Sequence, residues 1–422
     1  MVLSKLKEIK IGLIGVLSLV YVFLLPFNQV VSTIFLILFL GVSILKFNKK
    51  NIIINKQILL PVVMYVLLAF SFLWSTSINL QFLQKFALLI FIPILFIING
   101  YKLTEKNKIV ILKSFVIGCV CSVLYCEIYT TYRAAVFMPT GFHAVVQPGH
   151  TILQSMSQGG NLYFGKYFSS LHDPIYASSF LILAFFTLLY LPFKNKIINF
   201  FCGLILMLGV FQISNRSSLI ILIFLILIYQ FNKLKKNGSL KIKVITAISF
   251  ALFVFVIFLN PRLNTMIKSI YETGISVNPA AKSTYGVRVL VWDAALDLIK
   301  QSPVIGYGAG GQDYLYEFYK SKNYLGVFKS KLNSHNQYLT TFLEIGIFGF
   351  TILVLMIWNV FSAKNIKDLR LKRVSQVFSL IFMISILFES MLQRYSGLLF
   401  FCFFYCLFIS KSPSNLYSNK EI

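Results

Sequence analysis

Acidic residues are scarce in this sequence: 13 Asp and Glu stand against 39 Lys and Arg in 422 residues. No Asp-x-Asp pair occurs. That disfavours a metal-dependent nucleotide-sugar transferase, which needs clustered carboxylates to hold a divalent cation. Cysteine is limited to Cys119, Cys121, Cys126, Cys202, Cys402 and Cys406, all inside apolar runs. Neither a disulfide framework nor a zinc site follows from such placement, and these thiols read as small packed hydrophobes. Only four histidines occur: His143, His150, His172 and His335. The first three, with Asp173, lack a recognised ligand spacing, so no metal or other cofactor is expected. Charge of either sign makes up 12% of the chain, about half the share usual in a soluble domain. An ordinary soluble globular protein is thereby excluded.

Apolar residues are what the chain has in excess, 58% of the total with a mean hydropathy of +0.80. Runs such as 31–45, 204–211 and 219–229 carry no charge. A helix needs roughly 20 apolar residues to cross about 30 Å of hydrocarbon. Spans are expected near 10–26, 29–46, 57–75, 83–99, 107–127, 174–193, 197–213, 216–231, 241–259, 336–361, 373–392 and 394–410. The first lacks a small-residue cleavage site and is followed at once by the second, so it reads as a span rather than a cleaved leader. The fold class is therefore an all-α polytopic membrane protein with about twelve transmembrane helices. No internal repeat stands out.

The formal charge of +26 would suggest nucleic acid in a soluble chain. Here 24 of the 39 Lys and Arg lie in alternate short loops and the two tails. That distribution sets orientation, with the basic loops and both termini in the cytoplasm, and no nucleic-acid partner is expected. The organisation is then nine helices over 1–259, a loop domain over 260–334, and three helices with a cytoplasmic tail over 335–422. Two long connections, 128–171 and 260–334, face outward, and connections of that length tend to be functional or disordered. The second contains Val287, Leu290, Val291, Ala294 and Leu298 at helical spacing, closed by Ser302-Pro303 and the glycine-rich stretch 306–311.

All four histidines fall on or beside the outward side. Arg216 follows Ser214-Asn215 in a tight outward turn and opens a span; Arg288 opens the amphipathic loop helix; His335 follows Asn333-Ser334 and opens the next span. A cation at a helix N-terminus opposes the dipole by a few tenths of a kcal/mol. Exposed N–H groups there favour anions, so an anion between these ends would make both arginines favourable. Guanidinium matches phosphate oxygens in bidentate fashion, and a diphosphate is the natural candidate. A neutral His335 imidazole can act as a base. The bland alternatives are interfacial snorkelling for Arg216, a surface ion pair with Asp293 or Asp297 for Arg288, helix capping for His335, and a plain loop turn for 306–311, whose N–H groups could otherwise cradle phosphate.

Several ordered motifs resemble the O-antigen ligase/polymerase superfamily. They are Arg288 with Val289-Leu290-Val291-Trp292-Asp293, the turn Pro303-Val304-Ile305-Gly306-Tyr307-Gly308, His335-Asn336-Gln337-Tyr338-Leu339, and Glu344-Ile345-Gly346-Ile347-Phe348-Gly349. Ser214-Asn215-Arg216-Ser217-Ser218 matches the family's arginine turn. Leu171-His172-Asp173-Pro174-Ile175-Tyr176 is similar to a His-Pro-x-Tyr element with one residue inserted. The resemblance implies a fold of the membrane glycosyltransferase C type in the bacterial inner membrane, with a periplasmic active site. It implies metal-independent, inverting transfer of a glycan from a polyprenyl-diphosphate carrier to a hydroxyl of lipid A–core or another glycan acceptor. Arg216 and Arg288 would bind the diphosphate and His335 would activate the acceptor, with His172, Tyr338 and Glu344 as further candidate positions.

A polymerase of the same superfamily is the first alternative. Polymerases often carry an arginine with glycine eleven positions on, and neither Arg133 (Ala144) nor Arg288 (Ile299) has it. A transporter or lipid-linked glycan flippase would place charges mid-span, whereas Lys113 and Glu389 lie near span ends and Glu127 at an outward edge. A non-catalytic scaffold would have no use for His335. The alternating lysines predict that cysteines placed at Lys236 and Lys367 are shielded from impermeant thiol reagents in intact cells, while one at Lys322 is labelled. Labelling of the first two reverses the orientation.

Overall fold

The computed structural model describes residues 12–49, 52–75, 80–99, 103–136, 144–146, 149–236 and 284–411, with scattered residues between 240 and 281. It is an all-α polytopic membrane protein, with no named strand among the described residues and one isolated bridge, Val145 with Asn161. The helices are α1 (Leu13–Leu24), α2 (Gln29–Leu45), α3 (Leu60–Phe70), α4 (Leu80–Phe86), α5 (Leu88–Ile98), α6 (Glu105–Val136), α7 (Ile152–Gln158), α8 (Pro174–Tyr190), α9 (Lys196–Ile213) and α10 (Arg216–Lys236). After the second long connection come α11 (Thr284–Gln301), α12 (Gly311–Ser321), α13 (Leu325–Lys329), α14 (Gln337–Ser362), α15 (Leu369–Phe388) and α16 (Tyr395–Ile409). Among the described residues, seven segments are long and apolar enough to cross a membrane, and four more apolar helices are shorter. The expected span at 241–259 lies largely outside the described residues.

Asparagine and aspartate punctuate the bundle. Asn28, Asn195, Asn336 and Asp368 each accept two backbone N–H bonds at the start of α2, α9, α14 and α15. A capped end satisfies donors that hydrocarbon cannot. α16 runs through the centre, with Leu398, Phe400, Cys402, Phe404 and Phe408 all fully buried. Its C-terminal carbonyls are met by Asn55 and Asn365 on Ile409 O, both at 2.9 Å, and by Lys108 Nζ on Ser410 O at 2.5 Å. α6 is 32 residues long, the longest helix described.

α11 to α13 form a second apolar cluster. Leu290, Val291, Ala294 and Leu298, expected on one face of the loop helix, are buried there against Leu315, Tyr319, Val327 and Leu343. Lys322 donates to Asp293 at 2.6 Å and to Asp297 at 2.5 Å, clipping α11 to α12. Those two hydrogen bonds hold the Lys322 ammonium above its usual range, against the opposing effect of burial. Because Lys322 is engaged in this way, exposed Lys329 is the better position for an outward label.

The loop unit is seated on a break in α14. Ile345 (φ −134°) and Gly346 (φ 58°, ψ −155°) are non-helical. Tyr307 N–H donates to Leu343 O at 2.7 Å and Ile347 N–H to Pro303 O at 3.1 Å. A Cβ on Gly346 would stand 2.0 Å from Val304 O, and one on Gly306 2.5 Å from Leu343 O. Both glycines have positive φ, so each is required by conformation and by contact. Gly346→Ala is expected to destabilise the protein by on the order of 3 kcal/mol. Thermal unfolding in detergent, with proteolysis of the 302–336 segment, measures this; a variant that melts with the wild type would show that the two backbones do not touch.

Candidate functional site

The turn between α9 and α10 places Arg216. Ser214 takes a left-handed conformation (φ 49°), and Asn215 Oδ1 accepts from Ser218 N–H at 3.1 Å and from the hydroxyls of Ser217 and Ser218. Ser218 Oγ lies 2.6 Å from Ser178 Oγ, fixing the start of α10 against α8. Arg216 is the first residue of α10, as expected.

Arg288 lies one turn inside α11, which begins at Thr284 and not at the arginine. Its guanidinium lies over the Phe388 ring, 5.8 Å from the centroid. The surface-pair reading for Arg288 loses its partners, since Asp293 and Asp297 both bind Lys322. Burial lowers the Arg288 pKa, Glu389 raises it and Arg216 lowers it again. Arg288 therefore stands in the field of both the Arg216 guanidinium and the Glu389 carboxylate.

That carboxylate organises His335. His335 Nδ1 lies 3.4 Å from Glu389 Oε2, with the two side chains 30% and 20% exposed. The distance is longer than an ideal hydrogen bond, and an Nδ1–H turned to Glu389 leaves Nε2 as the basic nitrogen. Burial works against ionised Glu389, but the bond and charge of His335 and the charge of Arg288 hold its pKa below the ordinary carboxylate value. His335 does not open the span: Asn336 is the N-cap, α14 begins at Gln337, and His335 precedes them at φ 44°. The His335 N–H donates to Asn333 Oδ1 at 3.0 Å, a local turn that supports this conformation. Trp292 Nε1–H donates to Ser334 O at 3.0 Å, so the loop helix that carries Arg288 also holds the residue beside His335. Ser334 and Thr340 hydroxyls lie 2.5 Å apart, and Thr340 meets Ser390 at 2.8 Å. These contacts join the start of α14 to the end of α15.

The backbone amides contribute less than expected. Asn336 and Asn215 occupy the first free N–H groups of α14 and α10. In the glycine stretch, Tyr307 N–H is bound to Leu343 O and Gly310 N–H to Ser75 Oγ at 2.8 Å. The run 306–311 is a docking turn rather than an open phosphate cradle, and positive charge at the site comes from side chains.

The other candidates are placed as follows. His172 is buried, with Nε2 3.1 Å from Leu25 O and Nδ1 3.1 Å from Ser396 Oγ. A carbonyl can only accept, so Nε2 carries the proton and both nitrogens are engaged. Tyr338 Oη donates to Met383 O at 3.1 Å, tying α14 to α15. Glu344 is 2% exposed and accepts from Gln393 Nε2 at 2.8 Å. Gln393 Oε1 in turn accepts from Lys85 Nζ at 3.1 Å. Two ionisable side chains thus sit within span segments, where such groups were expected to be scarce. His143 lies outside the described residues. The pairing of Glu389 with His335, the Trp292 bond to Ser334 O and the link from Glu344 through Gln393 to Lys85 were not read from the sequence, although Glu344 was a candidate position and Trp292 part of the arginine motif. The usable signal for Glu389 was its rarity, as one of 13 acidic residues and at an outward span end.

Residues 197–354 match the family described as O-Antigen ligase. That stretch contains Arg216, Arg288, Trp292 and His335, and the family comprises membrane enzymes of the ligase and polymerase type. An uncharacterized protein of Haemophilus influenzae is 37% identical over 79 residues, which is 18% of this chain and 19% of that relative's length.

Burial pushes the His172 imidazole down to about 4 from 6.5, against the raising effects of its Leu25 bond and the Asp173 charge. The unfolded chain therefore binds this proton first as pH falls. Stability is intact above about 6.5 and is lost between 6.5 and about 4. The shift corresponds to on the order of 3 kcal/mol. Unfolding in detergent at pH 7 and pH 4.5 should show a smaller acid loss in His172→Asn than in the wild type. Equal losses would remove His172 as the titrating group.

Proposed function

We propose that this chain, whose residues 197–354 match the O-antigen ligase family, transfers a glycan from a polyprenyl-diphosphate carrier to a hydroxyl of an acceptor such as lipid A–core. The observation that carries the proposal is the grouping of Arg216, Arg288, Glu389 and His335 within one electrostatic neighbourhood. The basic-loop pattern supports a periplasmic site in the bacterial inner membrane, with both termini cytoplasmic. The donor's diphosphate is a capable leaving group once its charge is held, which is the task of the two guanidiniums. His335 Nε2 takes the acceptor proton. The acceptor oxygen then forms a bond to the anomeric carbon as the bond from that carbon to the diphosphate breaks, inverting the centre. The carrier leaves as its diphosphate with the negative charge on the arginines, and Glu389 stabilises the imidazolium. No step calls for a metal ion.

A polymerase would use the same chemistry with a second carrier-linked glycan as acceptor. The ligase reading is favoured because Ala144 and Ile299 stand where a polymerase pattern places glycine after Arg133 and Arg288.

The test is transfer by purified enzyme in buffer containing EDTA. His335→Ala should lose roughly 10²–10⁴-fold in rate, the scale of a general base. Arg216→Ala and Arg288→Ala should abolish transfer at normal membrane levels, with Arg288→Lys recovering little because an ammonium lacks the planar fork. Asparagine suits the left-handed backbone at position 335, so His335→Asn should fold and remain inactive. An active His335→Asn enzyme with an unchanged pH–rate profile would refute the base, and full activity in Arg288→Lys would refute the bidentate clamp.

A further inference from the structure

At the same end of the bundle, a cavity of about 290 Å³ is lined by Gln29, Lys85, Asp173, Tyr176, Gln393 and Arg394 among others. None of these belongs to the arginine pair or to His335. The cavity adjoins that site through Glu389, whose charge acts on Arg288 on one side and on Tyr176 on the other. Two cations reach it. Lys85 comes from the fourth helix, its ammonium bound to Gln393 and stationed over the Phe82 and Phe86 rings at 5.2 and 5.1 Å. Arg394 comes from the residue that precedes α16. Asp173 supplies a single carboxylate at the start of α8.

The second, independent observation is Tyr176. Its side chain is 2% exposed and lines the cavity. Its hydroxyl has no hydrogen-bond partner among the described residues. A buried phenol left without a partner is unfavourable, and at a cavity wall a polar group entering the cavity can satisfy it. Of the described residues that line the cavity, Tyr176 alone has a buried side-chain polar atom without a hydrogen-bond partner, while Lys85 makes one bond, to Gln393.

We propose that this cavity is a sugar subsite that recognises an anionic saccharide of the acceptor, a ring bearing a phosphate or carboxylate. Lys85 and Arg394 meet the anion. Tyr176 Oη and the Gln29 amide meet ring hydroxyls, and Asp173 accepts from one. Its volume lies at the small end of ligand pockets and suits about one ring. The assignment to the acceptor rests on the proposed function, since the donor's diphosphate is assigned to Arg216 and Arg288 and the cavity lies beyond the carboxylate that orients the base.

The test is ligand-observed NMR on the full-length protein in nanodiscs, with glucose 6-phosphate, glucuronic acid, glucose and inorganic phosphate as probes. Both anionic sugars should bind, with glucose much weaker. Lys85→Gln and Arg394→Gln should each weaken binding by on the order of 10-fold, the scale of one charge-assisted bond. Tyr176→Phe, which keeps the ring and removes only the hydroxyl, should weaken it less, while Arg216→Ala should leave it unchanged. Equal binding of glucose would overturn the anionic requirement. Inorganic phosphate competing as well as the sugar phosphate would reduce the cavity to a bare anion or lipid-headgroup site and overturn the saccharide. Loss of binding in Arg216→Ala alone would move the probe to the arginine pair and overturn the subsite. The readout does not require turnover: failed binding with transfer intact sinks this inference, and bound sugar with transfer absent sinks the proposed function.

Discussion

Backbone polar groups inside a bilayer have to be satisfied by protein, and the break in α14 obeys that constraint by borrowing partners from another segment. Leu343 O and Ile347 N–H, freed around Gly346, are met by Tyr307 N–H and Pro303 O. The same contact that repairs the helix fastens the loop unit to the bundle. Arg288 and Trp292 are four residues apart on α11 and share a face. Seating that helix therefore places a cation and, through Ser334 O, the turn that bears His335. Remove the two close-approach glycines and every later distance in the site loses its reference.

Charge at the site is arranged for an unbalanced state. Arg216 and Arg288 raise the local potential, and Glu389 offsets part of it while serving His335. The two aspartates of α11 do not help, because Asp293 and Asp297 are committed to Lys322. The scarcity of acid in the whole chain thus has a local meaning: among the described residues, Glu389 is the carboxylate whose charge acts on Arg288.

Much of this was legible beforehand because it depends on periodicity. Long apolar runs marked the helices, and the spacing of Leu290, Val291, Ala294 and Leu298 marked the buried face of α11. The tight turn at Ser214-Asn215 put Arg216 at the head of its helix. What escaped depends on contacts between distant segments. The reciprocal approach of Gly306 and Gly346, separated by two helices of the loop unit, has no periodic signature. Nor does the pairing of His335 with Glu389, 54 residues on. The N-cap at Asn336 was misread by one residue because Ser334, His335 and Asn336 all suit a helix entrance, and only the positive φ of His335 separates them.

The length of α6 has a mechanical corollary. Thirty-two residues rise about 48 Å, some three turns more than about 30 Å of hydrocarbon. Near its first turn, Lys108 is locked to Ser410 O at 2.5 Å. Its far end carries the stacked rings of Tyr125 and Tyr129, 6.0 Å apart and inclined by 7°, with the Arg133 guanidinium 5.7 Å from the Tyr129 ring. Aromatic rings of this kind settle at the headgroup level. With one end latched to the bundle, the length of the helix is set by covalent geometry. The helix length does not adjust to the bilayer, so a thicker or thinner hydrocarbon layer is met by tilt or by local deformation of the lipid.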